Sequence, residues 1–327
     1  MGNWNDTLKE IDAETKALGG RAARGQAFDN VRRRHLARLH QHTNRNVIAY
    51  YSGWLQKPGQ TGLGINDEDK GGFMSAVHGL DRTKGLDLIL HTPGGSIAAT
   101  QSIVNYLHKM FGNDIRAIIP QIAMSAGTMI ALSCKSIVMG AHSNIGPIDP
   151  QLNDIPAYGV IQEFRRAVRS VKNDPATAFV WQPIIGQYRP TFLSQCENAV
   201  RLSNEFVLDQ LMTVMFAGDP QADEKARVIV RRLSSYTTNK THERHIHLED
   251  CEEVGIVVER LEDDADLQDL VLTVHHAYTL TLANSSSSKF IENHNGSAFV
   301  KSQAMAVQQM SPVRFGPLPQ AAPVPAP

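Results

Sequence analysis

The chain has 327 residues, 42% hydrophobic and 20% charged, with 32 basic and 33 acidic side chains and a formal net charge of -1. That composition excludes a wholly disordered chain and offers no global attraction for nucleic acid or another strongly charged partner. Three dispersed cysteines (Cys134, Cys196, Cys251) form neither a metal-like pair nor a disulfide framework, and the polar, mixed-charge start is unlike a secretory signal, so a cytoplasmic protein is expected.

Residues 1–45 read as a peripheral helical arm. Seven arginines and one acid, Asp29, lie between Arg21 and Arg45. Phe28, Val31, Leu36 and Leu39 make an apolar stripe beneath them, so the arginines are expected on a solvated helix face or a subunit contact. From Asn46 strands and helices alternate. NVIAYYSG is a β-rich run. Asn66-Asp67-Glu68-Asp69 can cap a helix that carries Phe73, Val77 and Leu80. LDLIL (86–90) is a buried strand ending in His91-Thr92-Pro93-Gly94-Gly95, and a helix with Ile103, Leu107 and Phe111 on one face follows. IRAII (115–119) is the next strand. The longest uncharged run, Ala117 to Cys134, is broken by Pro120, Gln121, Ser125, Gly127 and Ser133, so it reads as a strand and a buried helix rather than a membrane span. KSIVMG is another strand. Strands separated by helices of this length imply right-handed crossovers and a parallel sheet, hence an α/β fold. Further on, helices are expected at 159–172, 194–216, 249–254 and 267–283, and a strand at 255–258. Residues 302–327, rich in Pro and Ala, read as a disordered tail.

Three segments can carry chemistry. Pro93-Gly94-Gly95 lets the backbone turn sharply and expose N–H groups at a strand's C-terminal end. Ser125, in Ala123-Met124-Ser125-Ala126-Gly127-Thr128, stands at a helix start among unpaired N–H groups, with small neighbours that admit a substrate. Gly140 to Pro150 is a turn-rich loop after a strand. Singly, Pro-Gly-Gly is an ordinary turn and Ser-Ala-Gly an ordinary helix cap. Together, at strand ends on one side of a parallel sheet, they suggest a nucleophile facing an oxyanion hole.

HTPGGSIAATQSIV, IIPQIAMSAGTMIALSCKSIVMG and HSNIGPIDPQL, continued by NKTHERHIHLEDCEEVGIVV, LQDLVLTVHHAYTLTLANSS and KFIENHNGSAFVK, resemble the serine dehydrogenase proteinase family of the Clp-peptidase/crotonase superfamily. The resemblance implies a crotonase-like ββα superhelix with a parallel sheet and a serine peptidase domain over residues 46–301. It further implies a nucleophile at Ser125 and an oxyanion hole from Gly95, with Gly94, and Ala126. Serine needs a base. Clp peptidases carry a histidine after the serine, but the matching neighbourhood here, Gly146 to Pro150, has none. The nearer family is similar at His242, usually with Asp next where this chain has Glu243. His242 could therefore be the base, oriented by Glu243 or Asp149. Signal peptide peptidases use a lysine, for which Lys172 is the candidate.

The expected function is hydrolysis of peptides or unfolded protein by a homo-oligomer without a cofactor or metal. Two rivals remain: an acyl-CoA thioester-processing enzyme on the same fold, and a non-catalytic interaction protein that works through the arginine-rich arm. No nucleotide-binding P-loop is present, so an unfoldase would have to be another chain.

Overall fold

The structure, a computed structural model, describes residues 3–235 and 241–302. The expected tail therefore lies outside the described residues, apart from Ser302. In chain order the strands are β1 (Asn46–Ser52), β2 (Leu86–His91), β3 (Ile115–Ile119), β4 (Ile122–Ala123), β5 (Ser136–Met139), β6 (Asn144–Ile145), β7 (Gln151–Leu152), β8 (Ile155–Pro156), β9 (Ile246–His247), β10 (Val258–Arg260), β11 (Ser287–Asn293) and β12 (Ala298–Ser302). The α-helices are α1 (Trp4–Ala17), α2 (Arg24–Thr43), α3 (Asp67–Val77), α4 (Ile97–Phe111), α5 (Ala126–Leu132), α6 (Ala157–Asn173), α7 (Ala178–Ile185), α8 (Phe192–Gln210), α9 (Ala222–Ser234), α10 (Leu248–Val254) and α11 (Ala265–Asn284).

The main sheet runs β10-β5-β3-β2-β1-β11-β12. It is parallel from β10 to β1 and antiparallel across β11 and β12, giving a mixed α/β architecture with a mainly parallel sheet. Because strand side chains alternate between faces, both faces must be apolar if both are covered. Ile48, Tyr50, Leu88, Leu90, Ala117, Ile119, Ile137 and Met139 point into one core, against α3, α4, α5, α8 and α9. The residues between them, Val47, Ala49, Tyr51, Ile89, Ile118 and Val138, pack on α2 and α11. No helix among the described residues is long and apolar enough to cross a membrane.

Three local features differ from the expectations. First, the arginine cluster is only in part a solvated face. Arg32 is buried, with Nε 3.0 Å from Glu292 Oε2 and its guanidinium 4.2 Å from the centre of the Phe290 ring. Arg33 reaches the other Glu292 oxygen at 2.8 Å, and Arg34 pairs with Glu10 and Glu14 of α1. The arginines thus clamp α1 and α2 to β11. Second, the β11–β12 hairpin was not anticipated as strands. The charged residues of β11, Lys289 and Glu292, are both buried and paired, which disguises a core strand as a surface one. Third, the strand expected at 255–258 starts at Val258, because Gly255 (φ +90°) closes α10 in the left-handed region.

Candidate active site

A second, small sheet builds the site. β4 pairs in parallel with β6, and β6 pairs antiparallel with β9, in the register Ala123↔Ile145↔Ile246. Ser125 follows the end of β4, Asp149 follows the end of β6, and His242 precedes the start of β9. Since β9 is antiparallel, its start lies level with the ends of the other two, so the topology brings all three residues to one sheet end. The main sheet joins this end through Thr92, just beyond β2: Thr92 N–H donates to Ile122 O (3.3 Å) and Met124 N–H to Thr92 O (3.0 Å).

Ser125 has φ +50° and ψ -113°, a conformation that L residues avoid and that costs about 1–3 kcal/mol. Ser125 occupies the N-cap position of α5, but its hydroxyl makes no capping hydrogen bond and is not committed to its own helix. The strain is held by the surroundings. Gly127 N–H donates to Met124 O at 2.7 Å. Thr128 Oγ1 donates to Ala123 O and accepts from Gly146 N–H, each at 2.9 Å, tying α5 to β4 and to the residue after β6. Ala126 is the first residue of α5, where an N–H has no intrahelical acceptor.

The two glycines have separate tasks. A Cβ on Gly94 (φ +99°) would stand 2.7 Å from Ser125 Cβ and 2.8 Å from Met124 O, so this position permits the close approach of the turn to the serine. The Gly94 N–H is engaged, donating to Thr92 Oγ1 at 3.2 Å. Of the two expected donors on this turn, Gly95 N–H is therefore the better placed to serve an oxyanion. Gly95 (φ +152°) lies against Ile65, whose backbone a Cβ would strike.

His242 Nδ1 lies 3.0 Å from Asp149 Oδ1, with side-chain exposures of 17% and 2%. A carboxylate there fixes Nδ1 as the donor and leaves Nε2 free to accept a proton. Glu243, the other expected orienting acid, is exposed and lines a cleft instead. That cleft, of about 550 Å³, is also lined by Trp54, Leu55, Pro93, Ile122, Met124 and His242. Ser125 and the two glycines are not among its lining residues, but Met124 and Pro93 immediately precede them. Lys172 is exposed at the end of α6 and lines a groove with Val168, Val171, Trp181 and Ile185. No residue of that groove is among those lining the cleft beside His242.

His91, in the same strand-end motif, is fully buried, and burial pulls its pKa down to about 3, so the ring is neutral. It packs against Trp54, a wall of the cleft, with ring centres 4.4 Å apart, and against Tyr51 and His275. Its part is to support the wall. Two residues escaped the sequence reading altogether: Asp69, read only as part of a helix cap, and Lys289. They form a buried ion pair whose third partner is Gly64 O, next to the Ile65 segment that carries Gly95. No local signal marks either: Asp69 sits among Asp67, Glu68 and Lys70, and Lys289 follows four serines.

The family model for ClpP-like SDH-type serine proteinases matches residues 23–305, and the chain belongs to that family. The match starts inside the arginine-rich arm, in keeping with the burial of Arg32. Two uncharacterized proteins of Methanocaldococcus jannaschii are similar. MJ0137 is 28% identical over 214 residues, covering 65% of each chain, and MJ1495 is 29% identical over 194 residues, covering 59% of each. The chain thus spans somewhat less than two thirds of the length of these relatives.

Proposed function

We propose that the chain is a serine peptidase that hydrolyses peptide bonds in peptides or unfolded protein, on the crotonase-like ββα superhelix its family implies. The observation that carries this reading is the His242–Asp149 pair at the sheet end that also bears Ser125 in its strained turn. Ser125 Oγ attacks the substrate carbonyl while His242 Nε2 takes its proton, and Asp149 holds the imidazole tautomer and stabilises the cation that forms. The N–H groups of Gly95 and Ala126 receive the developing oxyanion. His242 then gives the proton to the leaving amine, and water repeats the sequence on the acyl-enzyme. Work as a homo-oligomer is part of the same proposal, checked by the mass in solution.

The test is labelling with a fluorophosphonate. Ser125 Oγ would bond to phosphorus, fluoride would leave, and the serine proton would pass to His242. Peptide mapping is expected to place the adduct on Ser125. Ser125→Ala is expected to lose labelling and about 10⁴-fold or more in peptide hydrolysis while remaining folded. Undiminished hydrolysis by the folded variant, or an adduct elsewhere, overturns the reading. Turnover of acyl-CoA thioesters without peptide cleavage would move the chain to the other branch of the fold.

A further inference from the structure

The turn that carries the oxyanion donor is held from two sides by buried hydrogen bonds. On one side, Gly94 N–H donates to Thr92 Oγ1, and Tyr50 Oη donates to Asp69 Oδ2 at 2.8 Å. On the other side, Ile65 N–H donates to Gly94 O at 2.7 Å and Ser96 N–H to Ile65 O at 2.9 Å. The carbonyl of the preceding residue, Gly64 O, accepts from Lys289 Nζ at 2.8 Å. Lys289 also donates to Asp69 Oδ1 and Oδ2 at 2.9 and 3.0 Å.

The geometry of a peptide plane makes these bonds matter. Gly94 O and Gly95 N–H are opposite ends of one rigid trans unit, so whatever holds the carbonyl aims the N–H. Ile65 holds that carbonyl. The plane before it, Pro93–Gly94, is fixed by its own N–H through Thr92. Two successive glycines at positive φ lack the side chains that would otherwise oppose a flip of either plane. A preorganised donor therefore needs an external clamp. Lys289 and Asp69 are 0% and 1% exposed, and a buried ion pair can often be replaced by apolar residues without loss of stability. What apolar residues could not do is hold Gly64 O.

We propose that the buried Lys289–Asp69 pair is a positioning device for the oxyanion hole, fixing the Gly94–Gly95 peptide plane so that the Gly95 N–H stays aimed at the reacting carbonyl. The proposal rests on the peptidase reading above. Neither residue touches substrate. Both act through Gly64 and Ile65.

The experiment uses the full chain and measures the rate of fluorophosphonate labelling at Ser125, kcat and KM for a peptide substrate, and Tm. The double substitution Lys289→Met with Asp69→Asn removes the pair without leaving a lone buried charge. It is expected to lower kcat and the labelling rate about 100-fold, the cost of a mis-set catalytic geometry, with KM changed about twofold or less. Thr92→Val, which deletes one hydroxyl and keeps the shape, is expected to lower kcat about tenfold, and Thr92→Ser, which keeps the hydroxyl, to stay near wild type. If the double variant does not fold, Tyr50→Phe, which removes one of the bonds that hold Asp69, reads the same clamp and is expected to lower kcat with KM nearly unchanged. Folded clamp variants with wild-type kcat per molecule and only a lower Tm overturn the proposal, because a purely structural pair would behave that way. A wild-type chain that takes no label at Ser125 overturns the peptidase reading itself. Label on the wild type and on the variants at equal rates overturns the clamp alone.

Discussion

Two buried aspartates face each other's logic across the site. Asp149 and Asp69 are 2% and 1% exposed, and each holds a basic side chain at about 3 Å. At Asp149 the partner is an imidazole that lines a cleft, and Oδ2 has no hydrogen-bond partner among the described residues. At Asp69 the partner is an ammonium with no exposed surface, whose donors go to both carboxylate oxygens and a main-chain carbonyl, while Tyr50 and Asn66 N–H add further bonds to Oδ2. Burial alone therefore does not mark a reactive pair. A base that can change protonation must keep one face open, and a base that fixes a loop must have none.

The largest effect should come from breaking the open pair. His242→Ala removes the proposed proton acceptor, and Asp149→Asn presents the imidazole with the wrong partner at Nδ1. Each is expected to lower kcat about 10⁴-fold with Tm nearly unchanged, while Lys172→Met leaves kcat within about twofold. Substituted-enzyme kinetics beside thermal melts check this. A large loss with Lys172→Met and none with His242→Ala would move the base to α6 and end the contrast.

The closed pair should answer in stability. Asp69→Asn leaves the Lys289 ammonium buried without a counter-charge, and breaking a buried pair from one side costs about 3–5 kcal/mol. Urea unfolding should show that loss for Asp69→Asn and about 1 kcal/mol or less for Asp149→Asn, whose partner imidazole can shed its charge. Equal losses at the two aspartates would show that they are the same kind of site.

These corners also mark how far the sequence can be read. The Pro-Gly-Gly turn and Ser125 are legible because each is local: two glycines or a small-residue helix start directly after an apolar strand. The base was legible only as a set of alternatives. Asp149 and His242 are 93 positions apart, and the strands that join them, β4, β6 and β9, have two residues each, too few to show an alternating pattern. The Lys289–Asp69 pair spans 220 positions and was invisible, because a lysine in a strand reads as solvent-facing until its partner is known. The buried Arg32–Glu292 pair misled for the same reason.

His91 extends the comparison to a base with neither an acid nor access. It has no exposed surface, neither ring nitrogen has a hydrogen-bond partner among the described residues, and desolvation sets its pKa near 3. In the unfolded chain the ordinary value of about 6.5 applies. Above that pH both states are neutral there and His91 contributes nothing to the pH dependence. Between about 6.5 and 3 the unfolded chain binds a proton that the folded chain refuses, so stability falls as pH falls, by up to about 1.4 kcal/mol per pH unit. His91→Phe keeps an aromatic block against Tyr51 and Trp54 and removes that proton. The variant should therefore lose less stability than wild type between pH 6 and 4.5, the difference reaching about 2 kcal/mol at the acid end. Part of this will be offset by His275, whose own pKa is held down by burial first and by His91 second, and which will bind protons more readily once His91 is gone. Unfolding curves across that range measure the difference directly, and parallel pH profiles for the two proteins would mean that His91 finds a proton partner in the folded state after all.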